Sequence, residues 1–453
     1  MASKTYITDF TRGSVTKHLL VFSAPLFLSN LLQVVYNLVD MVIVGHVAGE
    51  VGLSAVAIGG DVTNFLTFVS MGFSSAGQVL IAQHIGAGHR SRVGKFICTM
   101  ASFLLALSLC ISGVCLLLRE QILHLMHTPS ESFSQTMDYA TVCMFGLVFI
   151  YGYNIVGAVL RGMGDSKHPF IFISMAAFLN VVLDVLFVMV WDFGAKGAAL
   201  ATVISQAVSF LSGVMFLLKN SRKFELQLQA ADFLHWDRAM LSSLIKLGVP
   251  MAIKSASIQF SRLFVSSWIN SYGVTVSAVA GISSKFSSIC KLVSEALNTA
   301  GSSMVGQNIG AGKYERVPHI MRTAFLLMFL ISTIIAVVLI TFPLEIFGIF
   351  TDNAAVLQVC MEYLPIAVVF FYASAFRTPM NALINGSGNY RINFVTAILD
   401  GMILRIGLSL LFGLFLGLDY VGFWLGDALS GFTPFFIGIV YYFTGKWKKG
   451  QVV

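Results

Sequence analysis

A chain of 453 residues with 57% hydrophobic and only 11% charged residues, and a mean hydropathy of +0.84, lies far from the roughly one-quarter charged residues of a soluble globular domain. A soluble fold is excluded. The formal net charge of +7 would suit a nucleic-acid binder only if the basic residues formed a patch on a folded surface, and their positions along the chain argue otherwise.

The chain opens on a polar segment, Met1 to Lys17, and the first apolar stretch, from near His18, runs well beyond a signal h-region of about 7–15 residues. It is predicted to be a retained span. Apolar stretches then recur at 17–44, 53–82, 94–118, 133–160, 168–191, 195–218, 240–270, 276–305, 317–341, 355–384, 392–417 and 420–445. Each covers a hydrocarbon core of ~30 Å at ~1.5 Å per residue. Pro169 and Pro318 sit at predicted helix starts, where a missing N–H costs nothing. The predicted fold is an all-α polytopic membrane protein of twelve transmembrane helices.

Lys and Arg alternate cleanly between the two sides. Lys4, Arg12 and Lys17, then Arg90, Arg92 and Lys95, Arg161 and Lys167, the run Lys219 to Lys246, Lys313, Arg316 and Arg322, Arg391, and Lys446, Lys448 and Lys449 fall on one side; Arg119 and Lys196 alone fall on the other. Cytoplasmic loops carry the positive excess, so both termini are expected in the cytoplasm of a multi-pass cell (inner) membrane protein. The basic excess is a topology signal, and no nucleic-acid partner is implied. Six cysteines (Cys98, Cys110, Cys115, Cys143, Cys290, Cys360) lie in or at the ends of apolar segments without paired spacing, and read as small hydrophobes.

The loop Gln83–Val93 (QHIGAGHRSRV) matches Gln307–Val317 (QNIGAGKYERV) at seven of eleven positions, offset by 224 residues. Ala158–Phe170 matches Ala382–Phe394 more weakly, and Pro25 pairs with Pro250. The chain is therefore two copies of a six-span unit. Both copies start on the same side, so they are expected to be two six-helix bundles related by a pseudo-twofold along the membrane normal, with substrate near the midplane between them. The expected division is an N-terminal lobe 1–218, a polar cytoplasmic linker 219–239 and a C-terminal lobe 240–453.

Ionisable groups inside apolar spans are costly and default to a functional reading. In span 1, Asn30, Gln33, Asn37 and Asp40 share one helical face. In span 5, Asn180 and Asp184 are one turn apart, and Thr202 opens span 6. Two carboxylates, an amide and a hydroxyl suit a small hard cation such as Na⁺, while the two carboxylates could equally carry a proton. A plain helix–helix hydrogen bond is the alternative for Asp184, and a wet pore-lining role the alternative for Asp61 in span 2. No other metal site is implied: His124 and His127 have metal-like spacing but no completing ligands.

Several of these segments together resemble the multidrug and toxic compound extrusion (MATE) family: the paired Gln-x-Ile-Gly-Ala-Gly loops, Arg161-Gly-Met-Gly-Asp165, Asn180-Val-Val-Leu-Asp184, Gly194-Ala-Lys-Gly-Ala-Ala-Leu-Ala-Thr202 and Tyr36-Asn-Leu-Val-Asp40. The similarity covers essentially the whole chain and is nearest the branch with an N-lobe cation site (DinF-like). It implies secondary active efflux, by alternating access, of small amphipathic compounds that are usually organic cations. Influx of H⁺ or Na⁺ drives it, with Asp40, Asn180, Asp184 and Thr202 matching the N-lobe cation site.

The C-terminal half departs from relatives that carry carboxylates in spans 7 and 10. Span 7 offers Lys254, Gln259 and Arg262, and Lys285, Lys291, Arg377 and Arg405 also lie in apolar spans, with Glu295, Glu362, Asp400 and Asp427 as possible partners. Ion coupling is therefore expected in the N lobe. The cationic C half motivates an alternative, a flippase or exporter of an anionic or lipid-linked envelope precursor. Arg377 is expected to snorkel to the cytoplasmic face. The substrate cavity is expected to include Gln33, Tyr36, Asn37, Tyr139, Asn154, Asp61, Lys254, Gln259 and Arg262, with Tyr151 and Tyr153 beside them. No Walker, GxGxxG, HExxH or GxSxG pattern is present; neither nucleotide use, enzymatic activity nor a cofactor beyond the coupling ion is expected. The expected partners are a small-molecule substrate and the bilayer, and the duplication makes a functional monomer sufficient.

Overall fold

The computed structural model describes residues 5–449, and among these there is helix but no strand. Lys4, counted above among the basic residues, lies outside them. The longest helical run, Val15–Gly86, is two spans joined at Gly49, whose φ of 62° and ψ of −158° break the helix. Glycine meets no Cβ penalty there. Helices are numbered accordingly: α1 (15–48), α2 (50–86), α3 (Arg90–Leu117), α4 (Phe133–Gly162), α5 (Lys167–Val190), α6 (Gly194–Lys219), α7 (Arg238–Asn270), α8 (Val274–Gly310), α9 (Arg316–Thr341), α10 (Ala354–Gly386), α11 (Tyr390–Phe415) and α12 (Asp419–Phe443). The twelve spans expected from hydropathy are present, with boundaries displaced by a few residues.

Two helices are not uniform. The last six residues of α5, Val185–Val190, form a π-helical turn directly after Asp184. In α11 there are two such turns, Leu399–Ile403 and Leu411–Phe415. The second corresponds to that of α5 through the repeat; the first has no N-terminal counterpart and carries Asp400. Helix α12 is interrupted at Gly431–Phe432, and Pro434 opens its second segment.

The chain divides into two compact units. Among the described residues, unit 1 holds 5–9 and Ala24–Gly248; unit 2 holds Phe10–Ser23 and 249–449. The boundaries on α1 and α7 thus fall beside the repeat-related Pro25 and Pro250, and the polar segment 219–239 belongs to unit 1.

In unit 1, α4 packs closely on α6. A Cβ on Gly146 would come within 2.3 Å of the Val203 side chain, so a small residue is what lets the backbones approach. The segment after α6 is tied down: Phe224 is fully buried and Leu226 nearly so. Glu225 pairs with Arg90, and Asp237 with Lys95 at 3.4 Å. Gly94 of α3 faces the backbone of Gln227, where a Cβ would stand 2.2 Å from the carbonyl oxygen.

In unit 2, α8 packs on α10 through Gly301 and Gly386, each hard against the other helix. The repeated segment at the end of α8 and into the loop to α9 has a task that its sequence did not disclose. Gln307 Oε1 accepts from the backbone N–H of Phe10 at 2.9 Å, Asn308 Nδ2 donates to the Phe10 carbonyl at 3.2 Å, and Lys313 Nζ donates to the Thr11 carbonyl at 2.9 Å. Phe10, 1% exposed, then packs on His18 and Phe22.

Candidate functional site

Three helices of unit 1 bring the acidic residues together. Helix α1 supplies Asp40, α5 supplies Asn180 and Asp184 one turn apart, and α6 supplies Thr202 and, one turn on, Gln206. Asp40, Asn180 and Asp184 are 7%, 2% and 0% exposed. Asn180 Nδ2 lies 3.4 Å from Thr202 Oγ1, a long hydrogen bond. Asp40 and Asp184 stand close enough to feel each other's charge. The wall beside them is apolar: Val44, Tyr139, Cys143, Val188, Ala195 and Ala199 form one buried cluster. On α6, Gly197 lets the chain pass 3.1 Å, measured from an added Cβ, from the backbone of Phe187 in the π turn of α5.

The chemistry of this cluster lies in what its oxygens lack. Oδ1 of Asp40, Oδ1 of Asn180, both carboxylate oxygens of Asp184 and Oε1 of Gln206 are all buried without a hydrogen-bond partner among the described residues. Buried polar atoms are nearly always partnered, and a buried carboxylate with no compensating group is costly. The carboxylate and amide oxygens among these atoms can only accept, so a proton or a hard cation is what would satisfy them. Among the described residues no three His, Cys, Asp or Glu side chains gather as metal ligands. The donor set, two carboxylates with amide and hydroxyl oxygens, fits Na⁺ or H⁺ rather than a transition metal.

The residues expected to line a cavity separate into groups. Gln33, Asn37 and Asp61 are exposed on α1 and α2. Tyr36 is half-buried, and its hydroxyl interacts with Gln33 and Gln206; it also lines an apolar groove of about 530 Å³ between α1 and α5, with Leu28, Val39, Phe170, Phe178 and Val181. Tyr139 is buried, its ring seated on Gly59 and its hydroxyl beside Cys143. Asn154 donates to the Ile150 carbonyl of its own helix at 3.0 Å, and Tyr153 lies near Tyr36 and Arg161. Tyr151 does not belong to a cavity. It is fully buried and its hydroxyl donates to the Leu66 carbonyl at 2.9 Å, joining α4 to α2. Gln206 was not anticipated, although extending the one-turn spacing from Thr202 along α6 points to it.

In unit 2 the charges sort into pairs and remainders. Asp400, fully buried in its π turn, receives Arg377 Nη2 at 2.9 Å and Arg405 Nη2 at 3.2 Å. Arg405 Nη1 also holds Asp427. The expectation that Arg377 snorkels is corrected: 14% exposed, it turns inward because a buried carboxylate 23 residues along the chain needs its charge. Lys254 Nζ donates to Asn381 Oδ1 at 2.7 Å, a neutral partner. Gln259 is half-buried, and Arg262 Nε is buried without a hydrogen bond. Lys291 meets Glu295 at 3.8 Å, Lys285 is exposed, and Glu362 accepts from the Tyr420 hydroxyl at 2.6 Å.

Comparison with known proteins agrees with this two-unit architecture. The MatE family model matches twice, over residues 25–186 and 250–411, the matches beginning at Pro25 and Pro250. The chain is 29% identical over 97% of its length to the probable multidrug resistance protein YpnP of Bacillus subtilis, of which it covers 97%. It is 22% identical to the probable multidrug resistance protein NorM of Thermotoga maritima, over 99% of this chain and 97% of that one. Among solved structures, a MOP superfamily transporter from Pyrococcus furiosus superposes with a TM-score of 0.89 at 22% identity, over 97% of this chain and 98% of that chain. An outward-facing multidrug resistance MATE transporter gives 0.89 at 22% identity, over 99% of both.

Proposed function

The chain belongs to the MatE family of multidrug efflux transporters, and we propose that it exports small amphipathic compounds by alternating access, driven by H⁺ or Na⁺ entering at Asp40, Asn180, Asp184 and Thr202. One observation carries this reading: four buried oxygens on Asp40, Asn180 and Asp184 have no hydrogen-bond partner among the described residues. With the site charged and empty, two carboxylates oppose each other in a medium of low dielectric. A proton or Na⁺ removes that opposition and recruits the amide and hydroxyl oxygens. Filled and empty forms would thus prefer different arrangements of α1, α5 and α6, which is what coupling requires. The apolar groove reaching Tyr36 offers surface to the apolar part of a substrate, and Tyr36 joins that groove to Gln206 of the cluster. The positive charges counted along the loops favour cytoplasmic termini in the cell membrane.

The test is uptake of an organic-cation dye into everted vesicles, with a proton gradient and a sodium gradient imposed separately. Uphill accumulation on one gradient, lost in Asp40→Asn, is the expected result; accumulation independent of both gradients, or intact in Asp40→Asn, overturns the reading.

A further inference from the structure

Arg262 lines a cavity of about 220 Å³ lying wholly within unit 2, whose other walls include Lys291, Ser287, Tyr363, Trp424 and Asp427. Its charge follows from the pairings around it. Asp427 is held by Arg405, 1% exposed, so its carboxylate is already compensated. The contact between Lys291 and Glu295 is long, at 3.8 Å, and about half exposed on both sides, so it is weak and water-screened. Arg262 has no such contact. No carboxylate lies within 4.0 Å of it among the described residues, and its Nε is buried without a hydrogen-bond acceptor. A guanidinium in an apolar span that Asp427 and Glu295 reach only at a distance, without a contact ion pair, is incompletely satisfied, and the missing component is an acceptor carrying negative charge.

The rest of the cavity sets the kind of anion. Guanidinium favours planar, two-oxygen heads such as carboxylate and sulfonate. Asp427 on the same wall disfavours a second negative charge. The rings of Tyr363 and Trp424 meet edge to face with centroids 5.1 Å apart, a corner that fits an aromatic ring. The Tyr363 hydroxyl interacts with Ser287, so hydroxyl donors flank the charged wall. The volume falls below the roughly 300–1,000 Å³ of drug-sized pockets, which leaves room for one ring.

We propose that this cavity binds a small organic monoanion, a carboxylate or sulfonate on a single aromatic ring, with Arg262 receiving the anionic head, Lys291 adding charge at the margin, and Tyr363 and Trp424 enclosing the ring. The site lies in unit 2, the acidic cluster in unit 1, and the binding does not depend on how that cluster is energised.

Full-length protein purified in a non-ionic detergent tests this by equilibrium dialysis with radiolabelled benzoate. Saturable binding is expected, displaced by benzenesulfonate but not by the neutral isostere benzamide or the cationic benzylamine. Arg262→Gln weakens it at least tenfold, and Arg262→Lys falls between. A melting curve of each variant reports folding, and Arg262→Gln, which removes an uncompensated charge, is expected to melt no earlier than the wild type. Asp40→Asn separates the two readings, since it abolishes gradient-driven transport while benzoate binding persists. Absence of saturable benzoate binding, equal displacement by benzamide, or wild-type affinity in a folded Arg262→Gln protein overturns the proposal.

Discussion

Arg405 donates from Nη2 to Oδ1 of Asp400 at 3.2 Å, with the two side chains 1% and 0% exposed. Asp400 also holds Arg377, and Arg405 also holds Asp427, so one buried pair is the hub of a four-charge chain joining α10, α11 and α12. Removing one member of a buried pair strands the others, at a cost of about 3–5 kcal/mol. Asp400→Asn strands Arg377 and leaves Arg405 with Asp427 alone, and is expected to lower the melting temperature more than Arg377→Gln, which removes a partly exposed partner. Tryptophan-fluorescence melts of the purified variants read the difference; equal small shifts would show that the chain of charges contributes little.

The acidic cluster makes a prediction about ion identity. Thr202→Val removes one neutral oxygen but leaves both carboxylates. If Na⁺ is the coupling ion, its apparent affinity should fall about tenfold or more, whereas proton-driven transport should change little, because a proton needs only a carboxylate. Asp184→Asn should abolish both. Transport assayed against a sodium titration at fixed pH distinguishes the cases.

A pH effect is expected at the start of α7. Asp237 Oδ1 accepts from the backbone N–H groups of Ala239 at 3.0 Å and Met240 at 3.2 Å. These bonds to the charged form, that from Met240 foremost, hold its carboxyl below the usual carboxylate range, with Lys95 adding to the effect. A depressed folded-state value means that the stabilisation is complete above the unfolded value of roughly 3.9 and is lost as pH falls through the lower folded one. An N-cap of this kind contributes about 0.5–2 kcal/mol. Asp237→Ala should therefore lower the melting temperature at pH 7, and its difference from the wild type should shrink in strongly acidic buffer.

Gly94→Ala addresses the segment between the repeats. The added methyl would lie 2.2 Å from the Gln227 carbonyl, and overpacking of this sort costs about 1–3 kcal/mol. The chain near Arg222 and Lys223 should loosen and be cut faster by trypsin. An unchanged digestion rate would mean that α3 yields instead.

Both lessons about legibility come from single residues. Asp40, Asn180 and Asp184 could be found in the sequence because a polar face inside an apolar run repeats at helical spacing, and that spacing is local. Gln206 obeys the same rule and was within reach of it. Arg377 was not: its partner Asp400 is on another helix, and no periodicity within α10 indicates which helix will stand beside it. Nor could spacing reveal that Gln307 and Asn308 grasp Phe10, some 300 positions earlier.

The sequence by itself determined the class of molecule, the twelve spans and the duplication. Hydrocarbon thickness sets span length, charge is excluded from apolar helices, and repeated residues remain visible however the chain folds. The tertiary structure decided which charges are satisfied. It paired Arg405 with Asp400 and Asp427, left the oxygens of Asp184 and the Nε of Arg262 without partners among the described residues, and divided α1 and α7 between the two units beside Pro25 and Pro250. Compensation of a buried charge depends on distance in space across separate helices, and linear spacing carries no measure of that distance.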